Sequence, residues 1–127
     1  MADVFTSAGE AWVVDCIDRT ADGSADQYVM WGTSATTAAK GDTALGAEAT
    51  ESRVACGSGT GRTQSAADTF QWVASITCNA TGKTIAEVGL FDASSSGNLI
   101  IHADFGGVGI PVVQDDVVEF TITLQFA

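Results

Sequence analysis

Val117-Val118-Glu119-Phe120-Thr121-Ile122-Thr123-Leu124-Gln125-Phe126 is the stretch whose reading decides the fold class. Val118, Phe120, Ile122, Leu124 and Phe126 alternate with Val117, Glu119, Thr121, Thr123 and Gln125, the period-two pattern of a strand with one buried face. The same pattern runs through 69–78. There Phe70, Trp72, Ala74, Ile76 and Cys78 share one face, while Thr69, Gln71, Ser75 and Thr77 dominate the other. Two strands of this kind need an apolar layer to lie on. Between them, Thr84 to Phe91 and Leu99 to Phe105 flank Asp92-Ala93-Ser94-Ser95-Ser96-Gly97-Asn98, a cluster of turn formers. This reads as a hairpin with a long loop.

Working toward the N-terminus, Trp12 to Ile17, Gln27 to Trp31 and about Glu48 to Cys56 read as three more strands. Thr33 to Ala47 has room for a helical turn, but its Thr pairs and Gly41 disfavour a longer helix. No repeat and no sustained 3.6-residue period appears. Six or seven short strands joined by Gly, Ser and Asp turns predict an all-β fold, an antiparallel β-sandwich or a jelly-roll-like barrel. Residues 1–10 are expected to form an extended N-terminal arm and 11–127 a single domain.

The 127 residues suffice for one domain with a core and exclude folds near twice that length. Five Lys and Arg against sixteen Asp and Glu give a formal charge of -11, which makes nucleic acid an unsuitable partner. No run approaches the roughly 20 apolar residues of a membrane span, and the start lacks an export signal. No membrane association is expected.

Tests for chemistry find little. Gly57-Ser58-Gly59-Thr60-Gly61-Arg62 has no following Lys or amphipathic helix, so it reads as a flexible hairpin loop and not a phosphate cradle. Asp18, Asp22, Gly23, Ser24 and Asp26 partly match a calcium loop but lack the closing Glu, and read as a solvated acidic turn. The three cysteines, Cys16, Cys56 and Cys78, have no metal-ligand spacing and read as small hydrophobes. His102, the one histidine, lies on the strand face of Ile100 and Asp104 and reads as a surface residue, since no Ser-bearing elbow accompanies it. Neither a catalytic set nor a cofactor or metal site is expected, and the chain reads as non-enzymatic.

Two segments are more specific. Trp31-Gly32-Thr33 is followed by Gly41-Asp42-Thr43-Ala44-Leu45-Gly46, then Glu48 and Arg53. Later come Ile85-Ala86-Glu87-Val88-Gly89-Leu90-Phe91-Asp92 and Gly97-Asn98-Leu99-Ile100. With Phe105, Ile110-Pro111-Val112 and the terminal strand, this order resembles the small β-rich structural modules of tailed bacteriophages, which occur in tail-fibre or collar-type proteins and in head-decoration proteins. Fibre modules usually continue into a shaft, whereas this chain ends after its last strand. The expectation is therefore a capsid decoration, or cement, protein on the outside of the head, partnered by the major capsid protein and assembled as a homotrimer or homodimer. A tail, collar or fibre-attachment component is the alternative within the virion. A carbohydrate-binding sandwich using Trp12, Trp31 and Trp72 is the alternative outside it.

The matched residues also have a reading of their own. Gly89 within a strand marks a bulge or a close backbone approach. Asp42 after Gly41 caps a turn, Leu45 fastens that loop to the core, and Arg53 pairs with Glu48 or Glu87. On a particle released into oxidising surroundings, Cys56 beside the Gly-rich loop is the candidate for an intersubunit disulfide.

Overall fold

A computed structural model describes residues 4, 6–9, 13, 14, 27–62 and 69–126. Among these described residues there are nine strands: β1 (Tyr28–Gly32), β2 (Val54–Ala55), β3 (Gly61–Arg62), β4 (Thr69–Thr77), β5 (Lys83–Ile85), β6 (Glu87–Phe91), β7 (Leu99–Asp104), β8 (Ile110–Val112) and β9 (Val117–Gln125). All pairings are antiparallel. The sheets have the orders β2-β1-β6-β7, β3-β4-β9 and β5-β8, and none closes into a barrel. The fold is an all-β sandwich.

The two alternating segments prove to be partners. β4 and β9 pair along their full lengths, with Phe70 opposite Leu124, Trp72 opposite Ile122, Ala74 opposite Phe120 and Ile76 opposite Val118. One apolar ladder is thus laid directly against another, the arrangement in which cross-strand pairs contribute most. Its inner face meets the larger sheet where the rings of Trp31 and Phe120 stand edge to face, 6.3 Å between centroids.

In β6 every residue is buried, Glu87 included. Val88 and Leu90 point to one face, Glu87, Gly89 and Phe91 to the other, and a strand covered on both faces loses the polar alternation of an open sheet. The connection 33–53 covers the second face. Leu45 packs at Gly89 and Arg53 lies over the Phe91 ring.

Several expectations need correction. The run Thr84 to Phe91 is not one strand: it breaks at Ala86, whose N–H donates to Gly32 O at 2.9 Å and whose carbonyl accepts from Phe105 N–H at 3.0 Å. The expected hairpin survives as β6 and β7, while Lys83–Ile85 pairs with β8, where Pro111 stands opposite Thr84. Of the strand expected over 48–56, only Val54–Ala55 forms, with an isolated bridge from Glu48 to Gly32. Residues 33–47 hold no helical turn.

Near the N-terminus, Val13 and Val14 are helical where a strand was expected, and residues 7–9 are helical instead of extended. Thr6 Oγ1 accepts from Gly9 N–H at 3.2 Å, an N-cap bond that the hydrophobic pattern does not reveal. Val14 is fully buried. The acidic turn at 18–26, Trp12 and Cys16 lie outside the described residues.

Candidate functional site: three clasps on the 33–53 connection

A connection of this length without regular structure exceeds ordinary loop lengths and is usually functional. Its backbone amides have few ladder partners; one set of polar side chains satisfies several of them, and two further sets tie the connection to its neighbours through side chains.

The first set is centred on Glu87, whose side chain is fully buried. Its Oε2 accepts from Ser34 N–H at 3.1 Å and Ala47 N–H at 2.9 Å, and its Oε1 accepts from Gly46 N–H at 2.9 Å. His102 Nε2 lies 2.9 Å from the same Oε1, and His102 Nδ1 lies 2.6 Å from Asp42 Oδ2. Asp42 in turn accepts from Ala39 N–H at 2.8 Å, closing the 39–42 turn that contains Gly41. Asp104 holds the loop further along, accepting from Ala38 N–H at 2.8 Å. Two carboxylates flanking one imidazole favour its charged form. Burial opposes that charge, but the bonds to Asp42 and Glu87 outweigh it and raise the His102 pKa. Burial likewise pushes Glu87 up, and the three amides with His102 bring it below the usual carboxylate range.

Gly32 makes the geometry possible. A Cβ at that position would stand 2.5 Å from Glu87 Oε2 and 2.6 Å from Ala47 O. Gly89 serves the same region differently: the space a side chain would take is filled by Leu99 Cδ1 at 2.8 Å and Leu45 Cδ2 at 2.9 Å. Side chains approach there, not backbone, and the register shift of the β6–β7 pair falls beside it between Leu90 and Phe91.

The second set is Arg53, whose side chain is 9% exposed. It pairs with both oxygens of Glu48, Nε to Oε1 at 2.8 Å and Nη2 to Oε2 at 3.1 Å. Its Nη1 donates to the carbonyls of Ala93 and Ser96 at 3.0 and 2.7 Å, and its guanidinium stacks 3.6 Å from the Phe91 centroid. Of the two carboxylates named as candidates for Arg53, Glu48 is the partner. The hairpin loop reached by Arg53 is closed by Asp92, which accepts from Asn98 N–H at 2.6 Å and Nδ2 at 2.8 Å.

The third set is Glu51, which accepts from Trp31 Nε1 at 2.8 Å and Asn79 N–H at 3.1 Å and pairs with Lys83 Nζ. Burial raises this carboxyl, but the bonds from Lys83, Trp31 and Asn79 prevail and bring its pKa to about 2.

Trp31, Gly32, Gly41, Asp42, Leu45, Glu48, Arg53, Glu87, Gly89, Phe91 and Asp92 thus fall in or beside one assembly that fixes the connection to β6 and its hairpin, while Leu90 points to the opposite face of β6 and belongs to the core. Sequence reasoning missed His102, whose side chain is only 6% exposed, and Glu51 and Lys83. The one signal for His102 was its place on the same strand face as Asp104; nothing local ties Glu51 to Lys83, 32 residues away. Cys56 is half-buried, and burial pushes its thiol up to about 11, which suppresses the reactive thiolate. Cys78 is buried.

The Gly-rich segment lies along β4: Thr60 Oγ1 accepts from Val73 N–H at 2.9 Å and Gln71 Nε2 donates to Gly59 O at 2.7 Å. A cleft of about 350 Å³ opens beside His102, lined by Ala38, Ala39, Lys40, Asp42, Leu99 and Ile100. His102 stands at its wall bonded to Asp42 and Glu87, so its imidazole is engaged in holding the loop.

Residues 7–124 match the family described as Podophage GP4 fiber I protein gp80. The chain belongs to this fibre-protein family. No curated protein matches it. Membership in the gp80 fibre family makes it a bacteriophage virion structural protein and corrects the emphasis drawn from the chain's end: the match supports the tail or fibre alternative ahead of head decoration. Of the three Trp side chains proposed for sugar stacking, Trp31 at 0% and Trp72 at 4% exposed are unsuited to that role, and Trp12 lies outside the described residues. Among the described residues of this fibre-family chain no helix is long and apolar enough to cross a membrane.

Proposed function

We propose that the chain is a non-enzymatic structural component of the phage tail-fibre apparatus, a small sandwich that carries a rigidly held connection for contact with a neighbouring virion protein. The observation that carries this reading is the family match over residues 7–124. The three clasps support it. They place buried carboxylates, a histidine and a stacked arginine at the disposal of backbone amides and carbonyls, a use that preorganises a surface and lowers the ordering cost of docking. Copies acting together in a symmetric appendage gain strength by avidity. Antibody against the chain, applied to intact particles and viewed by electron microscopy, is expected to decorate tails or their fibres. Uniform labelling over the head would overturn the reading in favour of a capsid decoration protein bound to the major capsid protein.

A further inference from the structure

Resting on the fibre-component reading, we propose that β8 and the turn leading into β9 form a docking surface for a virion protein whose contact face is apolar and flanked by Lys or Arg. Six large hydrophobic side chains are exposed among the described residues, and four of them lie between 108 and 117: Val108 at 67%, Ile110 at 43%, Val113 at 63% and Val117 at 61%. Pro111 is exposed between them. Scattered surface apolar residues need no explanation, but a concentration within ten residues marks an interaction site.

The segment is also held in place. Val113 N–H donates to Asp116 Oδ2 at 2.9 Å and Asp116 N–H to Val113 O at 3.0 Å, closing the turn. Cys78 anchors it from just past the end of β4, its N–H donating to Asp116 O at 2.8 Å and its carbonyl accepting from Asp115 N–H at 3.0 Å. Val113 and Val117 therefore flank a fixed turn, and little conformational freedom remains to be lost on binding.

Charge selects the occupant. Asp115, Asp116 and Glu119 are exposed around the turn. Lys83 stands opposite Val112 but turns its ammonium inward to Glu51 and to Asn79 Oδ1, leaving 10% of the side chain exposed. An apolar strip rimmed by exposed carboxylates complements a basic rim. A second copy would bring the same carboxylates together in a chain of formal charge -11. Among the described residues β8 pairs only with β5. Pro111 has no N–H to offer a further strand, so contact runs through side chains and not by strand addition.

The test is incorporation into particles. A phage lacking the gene is complemented with wild type, with Val113→Asp/Val117→Asp, or with Gln114→Lys/Glu119→Lys, and the chain is quantified per purified particle. Both variants are expected to incorporate about tenfold less than wild type while the isolated proteins keep their melting temperature. If the Asp pair unfolds the domain, Val113→Ser/Val117→Ser replaces it with the same expectation. Wild-type levels of either folded variant would overturn the proposal. A dimer of the isolated wild type that Val113→Asp dissociates would overturn it too, by making a second copy the occupant. Absence of the wild-type chain from particles would instead overturn the fibre reading on which it rests.

Discussion

His102 and Glu87 divide the pH scale between them. His102 binds its proton more tightly in the fold than at its ordinary 6.5, so its contribution is complete below about pH 6.5 and is lost as pH rises through the raised value. Glu87 behaves oppositely, contributing fully above its ordinary 4.5 and losing that contribution as pH falls through its lowered value. Melting temperature is therefore expected to fall as pH rises above about 6.5 in wild type and to be flatter there in His102→Asn. Removing the hub is more severe: Glu87→Ala leaves three amides and the Nε2 of His102 without their acceptor, and a loss of about 3 kcal/mol is expected by denaturant titration. The two glycines of the site should differ. Gly32→Ala meets a carboxylate and a carbonyl held on several sides, whereas Gly89→Ala meets the ends of Leu45 and Leu99, which can shift. Thermal melts are expected to show the larger loss for Gly32→Ala, and equal losses would contradict the fixed cradle.

Elements differ in how far their own residues announce them. β9 and β4 each carry a full alternation, and both the strands and their buried faces could be read directly; truncating the centre of that ladder, Ile122→Ala, is expected to cost about 3 kcal/mol in equilibrium unfolding. The break at Ala86 was hidden because Ile85 to Phe91 is buried on both sides, so no alternation survives to mark where the chain changes sheets. The N-terminal helical residues were hidden for another reason, since a short turn capped by Thr6 shows no period. In the candidate site, the motif residues could be picked out, but their joint purpose could not. Asp42 and His102, or Glu51 and Lys83, meet only through the tertiary path of 33–53. Arg53 shows the limit well: its choice of Glu48 over Glu87 follows from Glu87 being occupied by loop amides. Because Arg53 is bidentate and stacked at once, Arg53→Lys is expected to destabilise nearly as much as Arg53→Ala, by about 1–2 kcal/mol in thermal melts, and full rescue by Lys would contradict the stacking role.

At the scale of the whole molecule, two of its five cations, Arg53 and Lys83, are taken up inside the clasps, while the segment from Val108 to Val117 exposes apolar side chains beside carboxylates. This suits a protein that meets neighbours through a few defined contacts and stays soluble elsewhere. The family match places the chain itself among phage fibre proteins. The most direct measurement of the central claim is the quantity of this chain in separated tails and heads from disrupted virions. The account expects it to remain with the tails, in copy numbers set by the tail's symmetry; recovery with tail-free heads at the copy number of a capsid lattice would contradict it.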